Sequence, residues 1–86
     1  MSKKPTPTDT QEFLAILAAE LPPVIARKDV ERFLGGIVTR KTLANADAKG
    51  EGPQDAYAVG RNVIYPRESL LEYVGRNFTI QRLQTH

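Results

Sequence analysis

Arg40, Lys41 and Asn45 lie within six residues of one another, and Lys49 follows four residues later. Arg and Lys donate hydrogen bonds to guanine O6 and N7, and Asn pairs in bidentate fashion with adenine, so these side-chain types suit the base edges of a major groove. At about one hundred degrees per residue, a helix from Arg40 to Lys49 carries Thr42, Leu43 and Ala46 on one side. Arg40, Lys41, Ala44, Asn45 and Ala48 fall on the other. Leu43 then anchors the helix, while Ala44 and Ala48 admit close approach of its backbone. Downstream, Val59-Gly60-Arg61-Asn62-Val63 reads as a hairpin with an arginine at its tip, a group suited to a phosphate or a narrow minor groove. Asp47 stands on the flank of the same helix, where it would repel phosphates. It could instead neutralise Lys49 or the arginine of the hairpin, and the sequence leaves both open.

Other chemistries have little to work with. There is no cysteine, and the single histidine is the final residue, His86. Nucleophilic and proton-transfer catalysis therefore lack their usual groups, and the scattered carboxylates offer no metal spacing. No enzyme activity, cofactor or metal is expected. The run Gly50-Glu51-Gly52-Pro53 is glycine-rich, but it lacks the Lys-Ser/Thr of a phosphate-binding loop and does not join a strand to a helix.

The elements that must position the basic residues follow from periodicity and punctuation. Thr8 and Gln11 fit a capping box, and Phe13, Leu14, Ile16, Leu17 and Leu21 mark an amphipathic helix over 8–21 that Pro22 and Pro23 stop. Val24 and Ile25 read as an extended bridge. A second helix, Arg27 to Leu34, turns Val30, Phe33 and Leu34 inward and ends at Gly35. Gly36 permits a sharp corner, Val38 plugs the turn, and Thr39 is a natural N-cap for the Arg40 helix. Gly50 and Pro53 close that helix. Tyr57 and Val59, then Val63 and Tyr65, alternate as two short strands around Gly60, Arg61 and Asn62. Pro66 opens a last helix whose stripe is Leu70, Leu71 and Val74, with Gly75 and Asn77 marking its end.

At 86 residues and a formal charge of +2, the chain holds one small domain whose basicity permits nucleic-acid binding without requiring it. We read 1–7 as a disordered basic tail containing Lys3 and Lys4, 8–78 as the domain, and 79–86 as a C-terminal tail. No apolar run has membrane-spanning length and no signal-peptide core is evident, so a cytoplasmic protein is expected. The apolar helix over 8–21 is the candidate surface for a homodimer. A recombinase or another protein subunit is the candidate heterologous partner.

The segments KDVERFLGG, VTRKTLANADAKGEGP and VGRNVIYPRESLLEYV resemble the small winged helix-turn-helix domains of the excisionase and MerR-like superfamily, which includes phage excisionases and AlpA-type regulators. The resemblance spans Arg27 to Val74. It implies a mainly α fold with a small β-hairpin, a winged helix-turn-helix, to which this chain adds the N-terminal helix over 8–21. It also implies sequence-specific binding of double-stranded DNA in excision or transcription control. Groove contacts would fall on Thr39, Arg40, Lys41 and Asn45, and wing contacts on Arg61 and Asn62. Lys49 joins them as a phosphate contact. The competing expectation is a protein-interaction module of the same shape with weak or no DNA binding.

Overall fold

A computed structural model of the chain describes residues 7–83. Four α-helices and one three-stranded antiparallel sheet follow the order α1 (Pro7–Glu20), β1 (Val24–Ala26), α2 (Val30–Phe33), α3 (Arg40–Ala48), β2 (Tyr57–Val59), β3 (Asn62–Pro66) and α4 (Arg67–Asn77). A single 3-10 turn, Arg27–Asp29, leads into α2. Residues 27–33 thus supply the second helical segment the sequence predicts, wound more tightly at its start.

The strands are ordered β1-β3-β2. The hairpin pairs Tyr57 with Ile64, Ala58 with Val63 and Val59 with Asn62. Its turn is therefore Gly60 and Arg61, with Gly60 at φ 64. Glycine at the first of two turn positions suits the primed hairpin turns that match strand twist. Asn62 is consequently not at the tip but is the first residue of β3. Val24–Ala26, expected only as an extended bridge, is a third strand, registering Ile25 opposite Tyr65 and Ala26 opposite Ile64. β3 outlasts its hairpin partner, so its second edge has backbone groups to pair, and the extended residues after Pro23 supply them.

The interior collects residues from α2, α3 and α4, from β1 and β3, and from the segments between elements: Leu21, Ile25, Val30, Leu34, Val38, Leu43, Tyr65, Leu70, Tyr73 and Val74. Val38 is buried as the plug of the turn, and Gly35 and Gly36, at φ 61 and 81, make the corner before it. Leu14 and Leu17 of α1 pack against this core. α1 lies close on α4: a Cβ at Gly75 would stand 3.0 Å from Leu14 Cδ1. The apolar stripe of α1 is thus largely spent inside the domain, leaving Ile16 outside.

Two boundaries differ from the sequence reading. α1 already includes Pro7, so Thr8 lies within its first turn rather than capping it. Proline suits that position because its missing N–H has no helical partner there. The basic-tail expectation otherwise concerns residues 1–6, outside the described ones. α4 ends at Asn77 as the sequence reading has it, with Gly75 inside its last turn where α1 packs closely. Beyond it Phe78 and Ile80 fold back against the core, while Leu83 is exposed.

Candidate nucleic-acid interface

α3 begins as its sequence dictates. Thr39 is extended (φ −96, ψ 158), and its Oγ1 accepts the backbone N–H of Thr42 at 3.1 Å. This satisfies one of the amide groups that the first turn leaves without a helical acceptor. Leu43 is completely buried and is the only buried residue of the helix. Arg40, Lys41, Thr42, Asn45, Ala48 and Lys49 are exposed.

That distribution shifts the solvent face relative to expectation. Ala44 is half-buried and Thr42 is exposed, with its Oγ1 2.9 Å from that of Thr39. At roughly 100° per residue the exposed arc runs through Ala48, Lys41, Asn45, Lys49 and Thr42 and centres near Asn45, with Arg40 about 140° away. Arg40 is exposed because it opens the helix, and its backbone N–H points at Glu31 Oε1, 3.4 Å away. Glu31 thus places an acid at the first turn of α3. Nothing in the local sequence pattern marks it, because the approach depends on how the Gly35–Gly36 corner folds α2 back.

Asp47 departs most from both alternatives the sequence offers. Its partner is neither Lys49 nor the hairpin arginine but Arg27: Arg27 Nη2 donates to Asp47 Oδ2 at 2.6 Å. The same oxygen accepts the Tyr65 hydroxyl at 2.6 Å, and Arg27 Nε donates to that hydroxyl at 2.9 Å. Three side chains from the 3-10 turn, α3 and β3 thereby close a ring of hydrogen bonds. Burial pushes the Tyr65 hydroxyl up to about 12, reinforced by its bond to the Asp47 carboxylate. Burial opposes the charge of Arg27, but its bonds to Tyr65 and Asp47 outweigh this and hold the guanidinium above its usual value. The negative charge of Asp47 is therefore matched inside the domain.

Gly52 lies close beside the other oxygen of this carboxylate. A Cβ there would stand 1.9 Å from Asp47 Oδ1, so only glycine fits beside the side chain as placed. Of the other acids near α3, Asp55 Oδ2 accepts from Ser69 Oγ at 3.1 Å, and Glu51 is exposed. The basic face is accordingly bounded by Glu31 at one end and Glu51 at the other, with Asp47 withdrawn between them.

The predicted residues fall into two groups. Thr39, Arg40, Lys41, Asn45 and Lys49 belong to α3 and its flanks, whereas Arg61 and Asn62 belong to the hairpin. Both hairpin residues are exposed. Arg61 stands four residues from Tyr65, roughly 13 Å along an antiparallel strand. Arg40 stands about 10 Å from Asp47 along the helix axis. The hydrogen-bonded ring links α3, which carries the first group, to β3, whose hairpin carries the second. Its members Arg27 and Tyr65 escape a sequence reading because their contact with Asp47 spans 20 and 18 residues.

Among the described residues no three carboxylates or imidazoles gather as metal ligands, and no helix is long and apolar enough to cross a membrane. No protein-family model matches the chain, and no curated protein or solved structure matches it either.

Proposed function

We propose that this chain binds double-stranded DNA as a winged helix-turn-helix of the excisionase and MerR-like kind, a small cytoplasmic regulator or excision factor. α2, the glycine corner and α3 form the helix-turn-helix, and the β2–β3 hairpin is the wing. α3 enters the major groove with Asn45 at the centre of its outward arc, flanked by Lys41 and Lys49. Arg40 reaches from its N-terminal end, and Thr39 lies beside the adjacent phosphates. Arg61 and Asn62 meet the neighbouring backbone or minor groove. The observation that carries this reading is the pairing of Asp47 with Arg27. It ties Asp47 to the inner side of α3, about 160° from Asn45, while Lys41, Asn45 and Lys49 stay exposed on one arc.

Substitution separates base reading from charge. Asn45→Ala is expected to cost about 1–3 kcal/mol on a selected duplex and to relax the preference at one base pair. Lys49→Ala should weaken selected and scrambled duplexes alike. Affinity measured by fluorescence anisotropy on both duplexes decides: an equal loss from both substitutions on both sequences contradicts groove reading.

A second reading, a protein-interaction module with weak or no DNA binding, draws on the outer sheet face. Cross-strand pairing puts Tyr57, Val59, Ile64 and Ala26 on that face, and Tyr57 and Val59 are each 59% exposed. A groove beside α1, lined by Phe13, Ile16 and Ile80, is the place for a second copy or a recombinase subunit. A chain that self-associates in solution yet ignores duplex at low salt would select this reading.

A further inference from the structure

Asp47, Tyr65 and Arg27 come from three elements, and two of those elements carry the two halves of the proposed interface. Asp47 lies on α3 between Asn45 and Lys49, and Tyr65 lies on the strand that rises to Arg61. α3 has one buried side chain, Leu43. Ala46 packs partly buried beside it, but a helix held by one full-sized apolar side chain retains freedom to roll and tilt about that point. The Asp47 carboxylate supplies the second point, through hydrogen bonds of 2.6 Å to Tyr65 of β3 and 2.6 Å to Arg27. Charge-assisted hydrogen bonds of this kind are short and directional, so they fix orientation as well as distance.

A short duplex is stiff, so two protein contacts can engage it together only when the protein holds them at the separation the duplex presents. Loosening the link lowers the effective concentration at which the second contact meets its site. Resting on the DNA-binding reading, we infer that the Arg27–Asp47–Tyr65 ring is a positioning device that sets the distance and angle between α3 and Arg61. Asp47 and Tyr65 touch no DNA in this arrangement. They act through Lys41, Asn45 and Lys49 on one side and through Arg61 on the other.

A double-mutant cycle between Arg61 and Tyr65 tests this, read as affinity of the full chain for one selected duplex. Side chains this far apart without a shared partner ordinarily contribute independently, so general loss of stability leaves the cycle additive. Arg61→Ala is expected to weaken the wild-type background by a factor at least about threefold larger than it weakens the Tyr65→Phe background. The Phe ring keeps the packing of the buried tyrosine and removes only its hydroxyl. Asp47→Asn, similar in shape but uncharged, repeats the cycle independently should the phenylalanine chain fail to fold by circular dichroism. The same fold-loss from Arg61→Ala in all backgrounds overturns the positioning role while leaving DNA binding intact. A wild-type chain that binds no duplex overturns the DNA reading and this inference with it.

Discussion

Replacing Leu43 with alanine is expected to lower folding stability by about 2–5 kcal/mol. The side chain is completely buried, so its removal forfeits both its transfer free energy and the contacts of the surrounding residues. Small domains have totals of only about 5–15 kcal/mol, so this is a large share of the whole. For a chain of this size the melting temperature should fall by at least about 8 °C in a circular-dichroism melt. Because Leu43 is the one buried residue of α3, the loss also detaches the helix from its apolar support. A melting temperature within a degree or two of wild type would mean that α3 is held by something else.

Gly52→Ala is expected to destabilise by about 1–3 kcal/mol through overpacking. The added methyl would stand 1.9 Å from Asp47 Oδ1, so the carboxylate must move off the ring it shares with Arg27 and Tyr65. Two partly buried donors then lose their acceptor. The cause can be isolated. In a chain already bearing Asp47→Ala the space is vacant, and Gly52→Ala should then cost far less. Denaturant melts of the two single variants and the pair measure the difference. An undiminished cost in the Asp47→Ala background would place the strain in the backbone instead.

Local signals carried most of the architecture. Thr39 stands at a helix start because its hydroxyl caps, Gly35 and Gly36 turn because they accept positive φ, and the hairpin forms because Gly60 sits between alternating apolar residues. Each of these depends on neighbours within a few positions. β1 escaped because its pairing with β3 joins Ile25 to Tyr65, and three extended residues carry no period of their own. Asp47 shows the same limit more sharply. A wheel centred on Arg40 and Lys41 puts it on the flank, whereas the observed arc centred on Asn45 leaves it about 160° away beside Leu43. Its partner approaches from a 3-10 turn 20 residues earlier, so its charge looked like an obstacle to phosphates. Arg27 and Tyr65 could be recognised as partners only once β3 had been laid beside that turn. Arg40, nominated first by residue type, lies outside the exposed arc, about 140° from its centre, and is open to solvent because it is the opening residue, while Asn45 occupies the centre.

The central claim is that α3 and the hairpin together present cations to a duplex, and titration of a fluorescent duplex with the full chain across salt concentrations tests it most directly. With about four phosphate contacts, the logarithm of the affinity should fall against the logarithm of salt with a slope of about −3.6. Between 50 and 200 mM salt that amounts to a loss of about 150-fold. A duplex whose anisotropy never rises at the lowest salt, or an affinity that salt leaves unchanged, would contradict the account.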